Sequence, residues 1–117
     1  MMAVNCARFN PNSRLIASGS EDHSIKLWDY ESKKNIHTFN DHKRGVRTLD
    51  WSSDHFRIAS AGVDKTIMIF DIRSKKMIKS LIASRGTVNV VKFHPNGTHL
   101  LAASNDSTIK IWDVRKG

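Results

Sequence analysis

Short apolar stretches, rich in β-branched and aromatic residues, recur along the chain and are separated by clusters of turn-forming residues. Nowhere do the apolar positions follow the period of about 3.6 residues that is typical of an amphipathic helix. The first occurrence of the pattern places such stretches at residues 4–9, 15–20, 24–29 and 35–39. Pro, Asn, Asp and Ser between them favour tight turns, so the pattern predicts four antiparallel strands.

The same pattern of apolar and polar positions occurs three times with a constant spacing. Trp28, Phe70 and Trp112 are 42 residues apart, and each is followed by Asp. We therefore expect repeat units at residues 1–42, 43–84 and 85–117, the last of which ends before a fourth strand. A period of about 40–45 residues with four strands per unit is typical of a β-propeller blade. The predicted fold is all-β: a partial propeller of about three antiparallel four-stranded blades, the last lacking its fourth strand, that does not close into a ring.

The repeat units resemble those of WD-repeat proteins, in which a Trp-Asp pair ends the third strand of a blade. Propellers of this kind close rings of about four to eight blades, so that neighbouring sheets cover each other's faces. Three blades leave two faces uncovered, and the resemblance therefore implies exposed apolar surface at both ends of the chain. We expect the remaining blades of a longer chain, or self-association, to cover these faces. The Gly-His pair usual before the first strand is replaced here by Asp41-His42 and Ala83-Ser84.

The resemblance also implies a buried hydrogen-bonded set in each blade, formed by a His, a Ser or Thr, an Asp and the Trp. The matching residues are Ser18, Asp22 and Trp28 in the first unit, His42, Ser60 and Asp64 in the second, and Asp106 and Trp112 in the third. No set is complete: Phe70 replaces Trp in the second unit, and Ser84 and Ala102 replace His and the hydroxyl in the third. We expect structural remnants rather than a catalytic triad, with stability depending more on packing of Ile25, Ile67 and Ile109.

Motifs of nucleotide binding, serine hydrolysis and zinc-dependent hydrolysis are absent from the sequence. Six scattered histidines and one cysteine, Cys6, do not form a recognised pattern of metal ligands. We therefore expect no enzymatic activity, no cofactor and no metal site. The single cysteine suits a reducing compartment, the cytoplasm or the nucleus, and we expect a cytoplasmic location. With no visible secretory signal and no apolar run long enough to span a bilayer, we expect no membrane partner.

The chain carries a formal net charge of +8, and its basic residues concentrate at equivalent positions. The loops after the third strands contain Lys33 and Lys34, then Arg73, Lys75 and Lys76, and finally Arg115 and Lys116. Equivalent loops of neighbouring blades project from the same side, which predicts a continuous basic rim that binds an acidic protein. Ordinary solvated loops are the alternative. Nucleic acid is a less favoured partner, because the rim lacks interleaved aromatic residues for base stacking.

The opposite side is where WD-repeat proteins commonly bind peptides, near the start of the first strand and before the turn Asp. By this resemblance the candidate binding positions are Asn5, Arg47 and Asn89, with Glu21, Val63 and Asn105. Their residue types differ between units, as expected of a recognition surface, although neutral surface positions would differ as well.

Among WD-repeat families, the chain is most similar to the centriolar family known as proteome of centriole protein 1, through residues 4–29, 58–66 and 93–110. That resemblance implies a non-enzymatic scaffold for centriole or basal-body assembly or stability, located with the cytoskeleton and bound to tubulin or centriolar proteins. A second hypothesis is a substrate receptor of cullin-type ubiquitin ligases. It is based on Asp106 with Trp112-Asp113-Val114-Arg115 and, less closely, Asp64 with residues 70–73, which resemble the docking motif of such receptors. A third hypothesis is a WD-repeat scaffold of no particular family.

Overall fold

The computed structural model describes residues 3–12, 14–82 and 86–114, which form eleven strands in three antiparallel sheets. The first sheet contains β1 (Val4–Phe9), β2 (Leu15–Ser20), β3 (Ile25–Asp29) and β4 (Asn35–Phe39). The second contains β5 (Val46–Trp51), β6 (Arg57–Gly62), β7 (Thr66–Asp71) and β8 (Lys76–Ile82). The third contains β9 (Val88–Phe93), β10 (His99–Ser104) and β11 (Ile109–Asp113).

The described residues contain no helix, and therefore none that could span a membrane. Their sheets do not close a ring, so the predicted all-β partial propeller is confirmed. Each sheet lies within one predicted repeat unit, and its strands pair in chain order. The unit limits themselves stay predictions, because residues 83–85 lie outside the described residues.

The pairing register repeats from sheet to sheet. Ala17 pairs with Leu27 in the first sheet, Ala59 pairs with Ile69 in the second, and Leu101 pairs with Ile111 in the third. A shift of one residue would turn every side chain of a strand to the other face of its sheet. Side chains 42 positions apart therefore lie on equivalent faces of the three sheets.

The tight turns repeat with the same period. Positive φ angles occur at His23, Lys65 and Ser107, at Lys33 and Lys75, and at His55 and Gly97, and the members of each set are 42 positions apart. Left-handed backbone of this kind favours glycine, yet glycine occupies only the last of these seven positions. The hydrogen bonds of the repeat therefore impose the turn geometry on residues that carry side chains, such as the bond from His23 N to Ser20 O.

Two apolar cores lie between the three sheets. The first strand of each following sheet lies against the first two strands of the preceding sheet, and its side chains share a core with those of the preceding second and third strands. The first core includes Ile25, Leu27, Val46, Leu49 and Trp51. The second includes the equivalent residues Ile67, Ile69, Val88, Val91 and Phe93. Hydrogen bonds cross the same boundaries, from Trp51 Nε1 to Arg8 O at 3.0 Å and from Phe93 N to Asp50 Oδ2 at 2.8 Å. The chain thus builds one type of interface twice.

Each outer sheet leaves one face uncovered by the described residues. On β1, Val4 and Phe9 are 64% and 58% exposed, and on β11, Ile109 and Ile111 are 68% and 66% exposed. The expectation that Ile109 packs like its equivalents in the first two units is therefore wrong. Those equivalents are buried because a following sheet covers them, and the described part of the chain has no sheet beyond the third.

Candidate binding surfaces

The turns of the sheets form two ends. Because successive strands are antiparallel, the β1–β2 and β3–β4 turns lie at one end of the first sheet and the β2–β3 turn lies at the other. Equivalent turns of the next sheet lie on the same sides, since β5 runs beside β1 in the same direction, with Asn5 bonded to Val46 and Trp51 bonded to Arg8. We define the basic end by Lys33, Lys34, Arg73, Lys75 and Lys76. We define the amide end by Asn5, Glu21, Arg47, Val63, Asn89 and Asn105.

A buried hydrogen-bonded set in the second sheet joins His42, Ser60 and Asp64. His42 Nδ1 lies 2.7 Å from Asp64 Oδ2, and His42 Nε2 lies 2.6 Å from Ser60 Oγ. Burial by itself would raise the pKa of Asp64, but the hydrogen bond and charge of His42, with the N–H groups of Thr66 and Lys43, outweigh it and lower the pKa. His42 and Ser60 are almost fully buried, so the Ser60 hydroxyl is out of reach of a substrate.

The equivalent residues of the first sheet form two separate contacts. Trp28 Nε1 donates to Ser18 Oγ at 3.0 Å. Asp22 is exposed and accepts hydrogen bonds from the hydroxyl and the N–H of Ser24, at 2.5 and 2.9 Å. These bonds lower the pKa of the Asp22 carboxyl. Asp22 therefore stabilises its own turn, and no hydrogen bond between described residues joins it to Ser18 or Trp28.

In the third sheet, as in the first, the turn aspartate forms hydrogen bonds within its own turn. The exposed carboxylate of Asp106 accepts hydrogen bonds from the N–H of Thr108 at 3.0 Å and from the hydroxyl of Ser104, and Trp112 packs against the second core. Two predicted site residues, Arg115 and Lys116, lie outside the described residues, as does Ser84, which replaces the His in the third unit. In the described chain, no group of three His, Cys, Asp or Glu side chains is placed to hold a metal ion.

Two turns with the same backbone geometry form the basic end. Lys33 and Lys75 have φ angles of 60° and 59°, and their N–H groups donate to the carbonyls of Asp29 and Asp71 at 2.8 Å. Both aspartate carboxylates also accept a hydrogen bond from an N–H of their own turn, at 3.0 and 3.2 Å. The exposed lysines of these turns are Lys33, Lys34, Lys75 and Lys76. No ion pair between described residues includes any of the four.

Two aromatic side chains also lie at the basic end, so the expectation that it lacks them is wrong. The guanidinium carbon of Arg73 lies 4.1 Å from the ring centroid of Phe56, and its Nε lies 3.9 Å from Asp71 Oδ1. The Tyr30 ring meets the Phe9 ring edge to face, with centroids 5.8 Å apart. Both rings are therefore already in contact with other side chains of the chain. Arg73 contacts Phe56 and Asp71, whereas no ion pair between described residues includes the four lysines.

Arg14 is a basic residue of this end that sequence reasoning missed. It lies in the β1–β2 turn beside a cleft of about 590 Å³, whose lining includes Ser32 and Lys34. Hydrogen bonds from Ser32, with a smaller contribution from the Arg14 charge, lower the pKa of Asp29. The other units have no basic residue at the equivalent position, so the repeat pattern could not identify Arg14.

Side chains of the amide end bond to each other in the outer sheets. Asn5 Nδ2 donates to Glu21 Oε1 at 2.9 Å, and Asn89 Nδ2 donates to Asn105 Oδ1. Each bond joins residues 16 positions apart, and the two bonds occupy the same two positions of the repeat. The constant separation of 16 residues was therefore a sequence signal for this pairing. The sequence analysis predicted that each of the two positions contacts a partner protein, and did not predict that they bond to each other.

The second sheet differs at these positions. Arg47 and Val63 occupy them, and a valine side chain cannot accept a hydrogen bond from the arginine. Arg47 is exposed, so the amide end carries a positive charge on the sheet between the two amide contacts. The role of all these positions in binding a partner stays a prediction.

Comparison with protein families matches residues 1–117 to a β-propeller domain described as the N-terminal domain of nucleolar protein 10-like proteins. The chain belongs to this family. The match agrees with the all-β propeller fold and supports the WD-repeat assignment made from the sequence.

Curated relatives of this propeller domain share shorter segments with it. Nuclear distribution protein nudF 2 of Aspergillus clavatus is 46% identical over 50 residues, which are 43% of this chain and 12% of that protein. Nuclear distribution protein nudF of Emericella nidulans is 47% identical over 49 residues, 42% of this chain and 11% of that protein. Periodic tryptophan protein 2 of Arabidopsis thaliana is 35% identical over 51 residues, 44% of this chain and 6% of that protein.

The matched segments thus span about a tenth or less of these relatives' length. The names of these relatives refer to nuclear distribution and to periodic tryptophan, and the family description refers to a nucleolar protein. They support a WD-repeat propeller and give no support to membership of the centriolar family.

Proposed function

We propose that the chain is part of a non-enzymatic protein-interaction scaffold and that its basic end binds an acidic segment of a partner protein. Membership of a WD-repeat propeller family supports the scaffold class, because such propellers typically bind other proteins. One observation carries the choice of surface. Two equivalent turns hold two pairs of exposed lysines, and no acidic side chain among the described residues forms an ion pair with them.

The backbone conformation of Lys33 and Lys75 is the same in the two turns. Both residues have positive φ angles, a conformation that costs a residue with a side chain about 1 kcal/mol relative to glycine. Residues held in such conformations are often found where the side chain serves a function. Other turns of the repeat hold non-glycine residues in the same conformation, so the shared φ supports only that the two turns present Lys33 and Lys75 in the same geometry.

The cleft beside Arg14 and Lys34 is an open, concave part of this surface. Its lining also includes the hydroxyl of Ser32, the side-chain amides of Asn12 and Asn35, and the carboxylate of Asp29, which already accepts a hydrogen bond from the Ser32 N–H. Two cations and several hydrogen-bond donors outnumber this one carboxylate, so the cleft suits a carboxylate of an acidic peptide. We expect the first-sheet turn to contribute more to binding than the second-sheet turn.

Titration of a fluorescent oligoglutamate peptide into the chain at low salt tests the proposal. Reversing all four charges, with Lys33, Lys34, Lys75 and Lys76 each replaced by Glu, should weaken binding by about tenfold or more. Wild-type affinity should fall as salt is added, because exposed charges are screened over roughly 10 Å at about 0.1 M salt.

Matched double variants separate a specific site from general attraction to a basic protein. Lys33→Glu with Lys34→Glu changes the net charge by the same amount as Lys43→Glu with Arg44→Glu, and Lys43 and Arg44 are exposed in the β4–β5 loop at the opposite end. The first pair should weaken peptide binding clearly more than the second. Equal losses would contradict a binding site at the basic end.

The centriolar role expected from the sequence is a narrower form of this proposal, with acidic tubulin as the partner. The family description favours a nucleolar scaffold instead, and the names of the relatives give no support to a centriolar role. Co-sedimentation with microtubules, using the same pair of double variants, distinguishes the two: a tubulin-binding scaffold should lose binding only when Lys33 and Lys34 are changed. Binding of single-stranded RNA in preference to the peptide would instead favour nucleic acid as the partner class.

A further inference from the structure

The cleft at the basic end of the first sheet is lined by apolar as well as basic side chains. Leu15 and Ile36 line it together with Arg14 and Lys34. Leu15 is half-buried and packs against the first core, which lies between the first and second sheets. Leu15 therefore reaches the cleft from the side of the first sheet that the second sheet covers, and not from the uncovered face.

A β-bulge in the β3–β4 pair sets the direction of Ile36. Leu27 pairs with His37 and Trp28 pairs with Asn35, so Ile36 is the extra residue between them. A bulge takes such a side chain out of the regular alternation between the two faces of a sheet. Ile36 is 45% exposed, and it borders the cleft beside the cations. The bulge thus presents apolar surface to a ligand of the cleft.

The amide side chains of the cleft are oriented as hydrogen-bond donors. Asn12 Oδ1 accepts from the N–H of Arg14 at 3.1 Å, and Asn35 Oδ1 accepts from the hydroxyl of Thr38 at 3.5 Å. Within the described chain no hydrogen bond engages either amide nitrogen, which can only donate. The carboxylate in the lining is engaged by an N–H of its own turn. The polar groups that remain for a ligand are therefore donors and cations, which suit an anion.

The equivalent positions of the second sheet lack this combination. Asp54, Phe56 and Arg57 occupy the positions of Asn12, Arg14 and Leu15. The Phe56 ring is in contact with the guanidinium of Arg73. The charges at the equivalent positions also balance, with Asp54 and Asp71 against Arg57 and Lys76, whereas the first-sheet cleft has two cations and one carboxylate. Of these two sheets, the first alone combines an excess of positive charge with two apolar side chains at these positions.

We propose that the cleft prefers acidic segments in which an apolar side chain lies between carboxylates. This preference rests on the proposed function, since it concerns which acidic segments the basic end selects. The apolar side chain contacts Ile36 and Leu15, and the flanking carboxylates contact Arg14 and Lys34. Charge attracts any acidic segment to the basic end, whereas an apolar contact beside the cations distinguishes one such segment from another.

Two fluorescent peptides of equal charge test this preference. Each has six glutamates around one central residue, which is leucine in one peptide and serine in the other. The leucine peptide should bind the chain about fivefold more tightly, the gain expected from burying roughly 40 Å² of apolar surface. Added sodium chloride should weaken binding of both peptides and leave the ratio of their affinities nearly unchanged, because salt screens the charges and not the apolar contact.

Matched variants at one repeat position locate the apolar contact. Ile36→Thr should reduce the leucine preference to about twofold or less and leave the affinity for the serine peptide within about twofold of wild type. Ile78→Thr is the control and should retain the full preference, because Ile78 is the extra residue of the equivalent bulge in the second sheet and is 52% exposed. Threonine keeps the β-branched shape that suits a strand, and circular dichroism with urea unfolding verifies that both variants are folded.

The outcomes separate this preference from the proposed function. Equal affinities for the two peptides, with binding still weakened by reversal of the four lysine charges, would overturn the preference alone. A leucine preference that Ile36→Thr retains would place the apolar contact elsewhere and would also overturn it. Failure of both peptides to bind the chain would contradict the preference and the proposed function together.

Discussion

The second and third sheets have the same strand pattern, but the second is covered on both faces and the third on one. Ile69 and Ile111 occupy the same repeat position and pair with the same position of the preceding strand. Ile69 is buried, whereas Ile111 is two-thirds exposed. Burial of a side chain at this repeat position thus depends on whether another sheet packs on the strand. The sequence and pairing of the strand itself are not sufficient to bury it.

The largest difference that this comparison predicts is between Ile69→Ala and Ile111→Ala. Removing the Ile69 side chain leaves a cavity in the second core and should lower the free energy of unfolding by about 2–5 kcal/mol. The same change at Ile111 removes exposed atoms and should cost about 0.5 kcal/mol or less. Urea unfolding of both variants, at a protein concentration at which the chain is monomeric, measures the two values. Similar losses would show that the free face of the third sheet is packed in the single chain.

A smaller difference is expected between Asp64 and its equivalent in the first sheet, Asp22. Asp64→Asn weakens a charge-assisted bond to the buried His42 and should cost about 1–3 kcal/mol. Asp22→Asn keeps an oxygen that can accept from Ser24 at an exposed turn, so we expect a clearly smaller loss. Urea unfolding at neutral pH compares the two variants. Equal losses would mean that the His42 contact adds nothing to the role of the aspartate in its turn.

The stabilisation that the Asp64 carboxylate contributes should depend on pH, and the lowered pKa fixes the direction of this dependence. The native pKa of Asp64 is lowered, so the native state binds this proton less readily than the unfolded state, whose Asp pKa is about 3.9. The stabilisation is therefore complete above that value and is lost as the pH falls through the native pKa. The stability advantage of the wild type over Asp64→Asn should shrink as the pH is lowered below about 4. A constant advantage down to acidic pH would contradict the stabilising role of the ionised Asp64 carboxylate.

Periodicity was sufficient to predict the strands, the sheet order and the uncovered outer faces, because strands, turns and bulges are local and repeat with the sequence. It could not show that His42, Ser60 and Asp64 alone come together as a connected set, since their contact depends on the packing of a loop against two other elements. The contacts of Phe56 with Arg73 and of Tyr30 with Phe9 were missed for the same reason. Repeat spacing can indicate a side-chain contact that recurs in equivalent units, but it carries no information about a contact that occurs in one unit only.

The smallest effect that we predict concerns one turn position in the second and third sheets. His55 and Gly97 have φ angles of 73° and 75°, and their turns are equivalent. His55→Gly should raise the free energy of unfolding by about 0.5–1 kcal/mol, because relief of the left-handed conformation outweighs the freedom that glycine adds to the unfolded chain. The change also removes His55 Nδ1, which is buried without a hydrogen-bond partner among the described residues.

The reverse change, Gly97→Ala, isolates the contribution of the backbone. It should lower the free energy of unfolding by about 1 kcal/mol, since alanine meets the left-handed penalty. The added Cβ would lie 3.3 Å from Ser53 Oγ, a contact that rotation of the serine can relieve. Asn10 bonds to the carbonyl of residue 55, which His55→Gly retains. Opposite shifts of similar size in thermal or urea unfolding would therefore assign both effects to the φ angle. A loss of stability in His55→Gly would instead show that packing of the imidazole ring stabilises the fold by more than the left-handed backbone conformation costs.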